Sequence, residues 1–543
     1  MTLADYLAQQ DAHFDPAPGL VGHAAATPGY HTQVRDGTWV HSTLGNLDYA
    51  LTCLATRAPR WRRRAAAVIA TILDHQDPDP ASRTYGIWPW FVEEPLAAMQ
   101  PPDWNWADFC GARLAMMLDR HERALPAELV TRMRAALGHA ARAIIRRDVG
   151  PGYTNIAIMG ATVAAAAGEL LDAPDLLDYG RARFARNVAH TRWHGGFNEY
   201  NSPTYTMVAL AECDRALDLV RDPAVRADAE RLRRVAWRTI AEHFHPGTGQ
   251  WAGPHSRCYA DRLAPATVEL LSRLTRTPLA AHGVLGGQGR TPGFSFLRQR
   301  LCPPVLRPRF AALPAEQVEL RRRFIRCDND AESTWGTTWL STDACLGSVN
   351  RDVLWVQRRP LLAYWRTPDD PAVVLRLRCL KDGRDFAAGA VTTTQHGPRA
   401  LSVLGFARGM GDFHVSLDRP ADGCYEACEL VFRYELSGQG VDLEAYGTAY
   451  ALRAGGWQAV VQPLATPGVI WRPGGEAGRV WVEARVYRGP RRRFGPDELA
   501  AVAYGAALEL LPRGERYAPA PTWHDGVASW RAGGEVLTAS TAG

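Results

Sequence analysis

The sequence predicts an α+β multidomain protein: an N-terminal incomplete (α/α) toroid over residues 1–300, a linker over 301–333, and a C-terminal antiparallel β-sandwich over 334–543. Three observations carry that expectation. In the first part Leu, Ala, Val and Met recur at three- and four-residue spacing with Arg on the opposite face, the pattern of amphipathic helices. Long connections rich in Gly, Pro and Trp separate those stretches, and such loops in a helical domain are usually functional. From Thr334 onward the period shortens to two, with Val, Tyr, Trp, Leu and Phe dominant and helical signals almost absent.

In chain order, the spacing predicts helices over Leu44–Thr56, Trp61–His75, Ala107–His121, Pro126–Arg147, Ile156–Leu171 and Asp175–His190, then Thr204–Leu219, Pro223–Phe244 and Ala264–Leu274. Ser202 and Asp222 are suited to cap their helices, each followed by Pro, so Tyr205 is expected in a first turn. No fixed sequence period supports a solenoid. Helix pairs alternating with long loops instead suggest a toroid whose loops at one end build a cleft. Pro303, Pro304, Pro308 and Pro314 mark the linker, and a charged segment, Glu316–Arg326, leads out of it. Strands are expected over Thr337–Leu340, Val353–Tyr364, Ala372–Leu380, Cys424–Leu436 and Val480–Tyr487. Turns are expected at Asp382-Gly383, Gly438-Gln439-Gly440 and Pro473-Gly474-Gly475. Stacked antiparallel sheets follow from that pattern.

Hydrophobic residues at 46% and charged residues at 22% place the chain among soluble globular proteins rather than disordered or fibrous ones. The formal charge of +5 permits an acidic substrate without demanding one. Lys381 is the single lysine, so nearly all positive charge is Arg, which also suits planar carboxylates. Ten cysteines lack zinc-ligand spacing, and reduced, buried thiols are the expectation. Met1 to Asp15 holds acidic residues and no continuous apolar core, and no run reaches the length of a membrane span. A cytoplasmic protein with no membrane partner is expected. No phosphate-binding loop, H-E-x-x-H or G-x-S-x-G is present. Gly286–Gly289 is Gly-rich but lacks a preceding strand, and no basic run with interleaved aromatics argues for nucleic acid. No cofactor or metal is called for.

Four clusters could carry chemistry. Residues 84–90 read Thr-Tyr-Gly-Ile-Trp-Pro-Trp, followed by Glu93-Glu94 and Pro102-Asp103-Trp104-Asn105-Trp106. Aromatic faces beside amides and carboxylates suit sugar rings, so Trp88, Trp90, Trp104 and Asn105 are candidate substrate contacts, unless the loop is simply Trp-packed. The second cluster is Gly152-Tyr153-Thr154-Asn155, where Asn155 is either a helix cap or an amide aimed at a substrate carboxyl group. The third, His194-Gly195-Gly196-Phe197-Asn198-Glu199-Tyr200-Asn201-Ser202-Pro203-Thr204-Tyr205-Thr206, gathers more polar groups than capping requires and reads as an active-site rim. Tyr200 and Asn201 there are further candidate contacts. The fourth runs from Trp251 to Tyr259, where His255 and Arg257 offer an imidazole and a permanent cation two residues apart, with Asp261 beyond. In the sandwich, His396 and His414 are either strand or surface residues or reach a cleft.

With helices, sheets and Glu199-x-x-Ser202-Pro203-x-Tyr205 in one chain, the sequence resembles polysaccharide lyases of the heparinase II/III and chondroitin/alginate lyase type. Asn155 and then Tyr205 follow in the family's order and at similar separation. The departures are an inserted residue before Ser202-Pro203, His194-Gly195-Gly196 where Asp-Gly is usual, and Ile156 where a His often follows the Asn. The resemblance implies β-elimination beside a uronic acid in an oligosaccharide, polysaccharide or small acidic glycoside. It implies Tyr205 as acid and, in a syn geometry, as base. Asn155 and Arg257 would neutralise the carboxylate, His255 or His194 would serve as base in an anti geometry or as a cationic neighbour, and Glu199 would orient the His or Arg. A tyrosine near its ordinary pKa of about 10 is a poor base at neutral pH, so a cation beside it is needed. Two alternatives stand. A glycoside hydrolase would use Glu199 and a second carboxylate (Asp48, Glu94, Asp103 or Asp108) about 5 to 9.5 Å away. A carbohydrate-binding protein would use the aromatic contacts without turnover.

Overall fold

Amphipathic spacing in the first part of the chain becomes a succession of helices. They are α1 (Leu3–Asp11), α2 (Thr43–Ala55), α3 (Pro59–Leu73), α4 (Trp106–His121), α5 (Ala127–Arg147), α6 (Thr154–Leu170), α7 (Pro174–His194), α8 (Tyr205–Leu219), α9 (Pro223–His243) and α10 (Pro265–Thr275). The computed structural model describes residues 3–279, 298–464 and 469–540. The Gly286–Gly289 stretch lies outside them. The chain divides into two units: Met1–Arg192 with Val208–Arg234 and Thr291–Arg300, and Trp193–Met207 with Val235–Arg290 and Leu301–Gly543.

In the first unit the helices pack in neighbouring pairs, α2 with α3 and α4, and α5 with α4 and α6. In α3 the buried positions are Ala65, Val68, Ile69, Ile72 and Leu73, one face at helical spacing, while the Arg run at its start stays out of the core. α6 is different. Every residue from Thr154 to Gly168 is buried, so its Ala-rich sequence serves close packing on all sides. A Cβ on Gly168 would lie 2.5 Å from the Leu177 nitrogen, and one on Gly180 2.8 Å from Ala165. Small residues are required where α6 and α7 approach so closely.

The second unit holds the two large sheets. A seven-stranded antiparallel sheet runs in the order Arg351–Val353, Gly389–His396, Arg399–Phe406, Tyr504–Pro512, Trp457–Pro463, Ala449–Ala454 and Val441–Tyr446. A larger antiparallel sheet runs Ile470–Glu476, Arg479–Phe494, Tyr425–Ser437, Val373–Lys381, Leu361–Trp365, Ala344–Val349, Thr334–Ser341 and Gln317–Ile325, with Arg384–Asp385 beside Val373–Lys381. Their facing side chains form one core. Leu375, Leu377, Phe432, Tyr434 and Val482 come from the larger sheet, and Leu404, Val461 and Leu508 from the smaller. Each such side chain, fully buried, contributes about 1.5–3 kcal/mol. The fold class expected from the sequence, helices first and antiparallel sheets after, is the one the chain adopts.

The alternate residues of the same strands point away from that core and carry charge. Arg378 bonds Glu435 at 3.0 Å and Asp385 at 2.9 Å, and Arg433 bonds Glu483 at 2.7 Å. Arg376 joins Asp261 at 3.0 Å, and Arg359 reaches the same carboxylate at 2.6 Å. An ion lattice therefore ties Asp261, outside the sheet, to three adjacent strands.

Three local expectations change. The charged segment Glu316–Arg326 contains strand Gln317–Ile325, the edge of the larger sheet, where charged side chains discourage further pairing. Pro473-Gly474-Gly475 is not a turn but lies in strand Ile470–Glu476, the opposite edge. Pro is tolerated on an edge, and a Cβ on Gly474 would lie 2.4 Å from the Trp481 indole nitrogen, so that ring lies over the glycine. Val353–Tyr364 is not one strand. It breaks after Val353 and resumes at Leu361, leaving Leu354–Pro360 as a loop.

All ten cysteines are free, and seven of them are buried. No helix among the described residues is long and apolar enough to cross a membrane.

Candidate functional site

The site begins with a capped turn. Asn201 adopts a left-handed φ of +42°, a conformation Asn tolerates better than most residues. Its amide donates to the Ala252 and Pro254 carbonyls, both at 2.8 Å, and its oxygen accepts the Trp251 indole N–H at 2.5 Å. With Asn201 fixed, the Ser202 hydroxyl oxygen accepts the Tyr205 N–H at 2.9 Å, and Ser202 donates to the Arg257 carbonyl at 2.5 Å. Tyr205 thus opens α8, as the Ser-Pro signal predicts.

A second segment is laid beside the first by backbone bonds. His255 exchanges N–H···O bonds with Arg359 at 3.0 and 2.9 Å, Cys258 N–H donates to the Gln357 carbonyl, and Ser256 N–H donates to the Tyr200 carbonyl. Arg359 and Arg376 outweigh the burial that by itself would raise the Asp261 pKa, and they hold that carboxyl below its ordinary range. The charged Asp261 then anchors the end of the segment to the sheet.

These supports bring four side chains together around Arg257. Its Nη1 donates to Glu199 at 3.1 Å, and its Nη2 donates to the Tyr205 hydroxyl oxygen at 2.9 Å. Nε and Nη2 both reach the Gln357 amide oxygen, at 3.1 and 3.0 Å. The guanidinium carbon lies 4.1 Å from the centre of the Tyr205 ring and 5.4 Å from that of Trp355. Trp355 in turn meets the His414 ring edge-on at 5.0 Å. The Tyr205 hydroxyl also lies 2.5 Å from that of Tyr259, whose side chain is 49% exposed. The cluster therefore pairs a half-buried cation and a buried carboxylate with two phenols, one of which opens to solvent.

The expected site residues divide accordingly. Tyr205, Arg257 and Glu199 are brought together, and His414 stands one ring beyond Arg257. Asn201, expected to touch substrate, has its amide fully used by backbone and Trp251. Tyr200 is buried, stacked on Phe324 at 4.4 Å, and donates to Asp352, so it is also structural. Burial pushes its hydroxyl up to about 12.

His255 was expected as a base or a cation. Its ring is buried, with Nδ1 2.7 Å from the Asn201 carbonyl oxygen and Nε2 without a hydrogen-bond partner among the described residues. Burial pushes it down to about 3, so it is neutral at ordinary pH and cannot supply positive charge. His194 is buried too, and its Nδ1 accepts the Arg326 N–H at 2.9 Å. That bond and the Trp193 ring at 4.5 Å fix it at the end of α7.

The remaining candidates belong to the first unit. Asn155 is fully buried in the first turn of α6, and Tyr153, not Asn155, holds the cap position. Trp88 is completely buried and donates to the Ile72 carbonyl at 3.0 Å, a core residue rather than a sugar platform. Trp90 is half-buried, donates to Asp103 at 3.1 Å and packs on Trp106 at 5.2 Å. Trp104, also half-buried, donates to the Arg83 carbonyl at 3.1 Å. Asn105 bonds the Tyr153 hydroxyl at 3.3 Å and Arg147 at 2.7 Å.

Gln357, Trp355 and Tyr259 were not singled out from the sequence. Tyr259 closes the His255-Arg257 stretch and could have been weighed with it. Gln357 and Trp355 were hidden inside an apparent strand.

Residues 3–268 match a family model described as a domain of unknown function (DUF8769). No curated protein matches the chain. Among solved structures, heparinase III is similar at 13% identity and a TM-score of 0.45, covering 95% of this chain and 84% of its own. The Streptomyces coelicolor A3 chondroitin AC lyase, solved with chondroitin sulphate, is similar at 12% identity and 0.45, covering 98% and 82%. A chondroitinase AC lyase solved with oligosaccharides is similar at 9% identity and 0.43, covering 97% and 84%.

Proposed function

We propose that the protein is a carbohydrate-active lyase that cleaves a uronic-acid-containing oligosaccharide, polysaccharide or small acidic glycoside by β-elimination, with Tyr205 as the proton-transferring group. The observation that carries this reading is the Tyr205 hydroxyl held by the Arg257 guanidinium, which is itself fixed by Glu199 and Gln357. Elimination removes a proton from the carbon beside a carboxylate and breaks the bond to the oxygen on the next carbon. A phenol suits the first step once its oxyanion is stabilised, and a guanidinium already donating to that oxygen does so without reorganisation. Glu199 and Gln357 accept from the same guanidinium and restrain it, which keeps the donor aimed at the phenol. This assigns Arg257 to the tyrosine rather than to the substrate carboxylate.

The hydrolase alternative is weakened by what its carboxylates already do. Glu199 is paired with Arg257, and Asp48 with Arg113 at 2.9 Å. Glu94 accepts from Thr32 and from the Gln33 N–H, each at 2.6 Å. Asp103 accepts from Trp90 and the Asn105 N–H. Asp108, raised to about 7 by burial, would suit a general acid, but at 2% exposure its carboxyl is not presented to a glycan.

The test is incubation with a panel of uronic-acid glycans, followed by ultraviolet absorbance. Elimination creates a conjugated unsaturated acid that absorbs, hydrolysis creates reducing ends without it, and a binding protein produces neither. Tyr205→Phe should lower turnover by about 10²–10⁴-fold while substrate affinity survives. Near-wild-type turnover in that variant removes Tyr205 from the mechanism.

A further inference from the structure

We infer that Tyr259 is a second catalytic phenol, which protonates the departing oxygen while Tyr205 takes the carbon-bound proton. The inference rests on the lyase reading above. Its observations are the 2.5 Å separation of the two hydroxyl oxygens, in which either oxygen can be the donor, and their unequal surroundings. Arg257 donates to Tyr205 alone of the pair at hydrogen-bond distance, so negative charge is favoured on that oxygen. A proton shared between them therefore rests on Tyr259. Tyr259 is also the more exposed phenol, at 49%, where a leaving group bound for solvent would meet it.

The proton balance closes without a further reactant. The starting pair carries one proton, on Tyr259, and one negative charge, on Tyr205. The Tyr205 oxygen forms an O–H bond with the proton beside the carboxylate. The electron pair of that C–H bond becomes the new C=C bond as the C–O bond to the leaving group breaks. Tyr259 gives its proton to the departing oxygen and becomes the oxyanion. The proton on Tyr205 then crosses the short contact to Tyr259, restoring the starting pair. One phenol serving both steps would have to move its proton between two substrate atoms, whereas two phenols in contact divide the work.

The experiment compares two substrates that differ in what the leaving group needs. One is a uronic-acid oligosaccharide from the panel above, and the other is a 4-fluoro uronide, whose fluoride departs without a proton. Tyr259→Phe keeps the ring and removes the hydroxyl. Its kcat on the oligosaccharide should fall about 10²-fold or more with KM little changed, while its kcat on the fluoride stays within about threefold of wild type. Tyr205→Phe should fall on both. Equal loss on both substrates in Tyr259→Phe overturns the relay, because the hydroxyl then only positions Tyr205. No loss on either also overturns it. A wild-type protein that eliminates neither substrate overturns the lyase reading and the relay with it. Elimination of both by wild type, with either failing pattern in Tyr259→Phe, overturns the relay alone.

Discussion

Two regions of this chain, the second built from two segments, look alike in sequence and differ in structure. The loops over 84–106 and the segments over 194–206 and 251–259 are equally dense in Trp, Tyr, Asn and charged residues. In the first, polar side-chain atoms largely find backbone or neighbouring loop groups: Trp88 the Ile72 carbonyl, Trp104 the Arg83 carbonyl, and Asp103 the Trp90 indole. In the second, one layer of residues does the same. Asn201, Ser202 and Ser256 bond the main chain, and above them Tyr205, Arg257, Glu199 and Gln357 bond each other. Side chains that satisfy backbone groups are building material. Side chains that satisfy one another, and leave a phenol at the surface, remain able to exchange a partner for a substrate.

Substitutions can break or sharpen this contrast. The largest effect is expected at Trp88, where Trp88→Ala should cost about 3–5 kcal/mol of stability by denaturant unfolding, the usual penalty for emptying a fully buried indole site. An unchanged midpoint would return Trp88 to the list of ligand contacts. Next comes the buried imidazole. His255 is near 3 in the folded protein, below the ordinary histidine value, so the folded state prefers it neutral. The unfolded chain binds the proton first, so stability from this group is present above about pH 6.5 and is lost as pH falls from there toward 3. Unfolding midpoints measured across that range should drop, and His255→Gln should flatten part of the drop. An equal slope in the variant would show that His255 is not the group responsible. The smallest effect belongs to Trp104. Its indole bond and its contact with Arg83 are partly solvated, so Trp104→Phe should cost about 1 kcal/mol or less. A large loss of glycan affinity in that variant, with stability intact, would make this loop a binding surface after all.

The elements legible in the sequence were those whose cause is local. Helices from Leu44 to Leu274 fall within a few residues of their expected ends because periodicity and caps are read over one or two turns. Ser202 and Asp222 cap as expected, Asp222 accepting the Val225 N–H at 2.9 Å. The Tyr205–Arg257–Glu199 grouping was legible for a related reason, since two short polar stretches each carry a concentrated signal. What failed depended on partners remote in sequence. The loop at 354–360 reads as strand because Leu354, Trp355 and Val356 favour strands and the apolar run Leu361–Tyr364 follows, yet Arg359 is drawn to Asp261, about a hundred positions earlier, and Gln357 to Arg257. Pro473-Gly474-Gly475 reads as a turn because nothing nearby announces that the Trp481 ring will lie across Gly474. His255 and His194 looked reactive because a sequence does not display burial.

The ion lattice on the outward face of the larger sheet bears on how the site comes apart. Asp261 sits between Arg359 and Arg376, and the Tyr364 hydroxyl donates to the Asp261 carbonyl at 2.5 Å, so the segment bearing Arg257 and Tyr259 ends in the charge network of three strands. Releasing that segment would strand buried charges of both signs, a far larger penalty than the melting of an ordinary surface loop. The segment should therefore not behave as a hinged flap. Its amide protons should exchange with solvent as slowly as those of the strands beneath it, and during denaturation the reactive groups should scatter only when the sheet itself gives way.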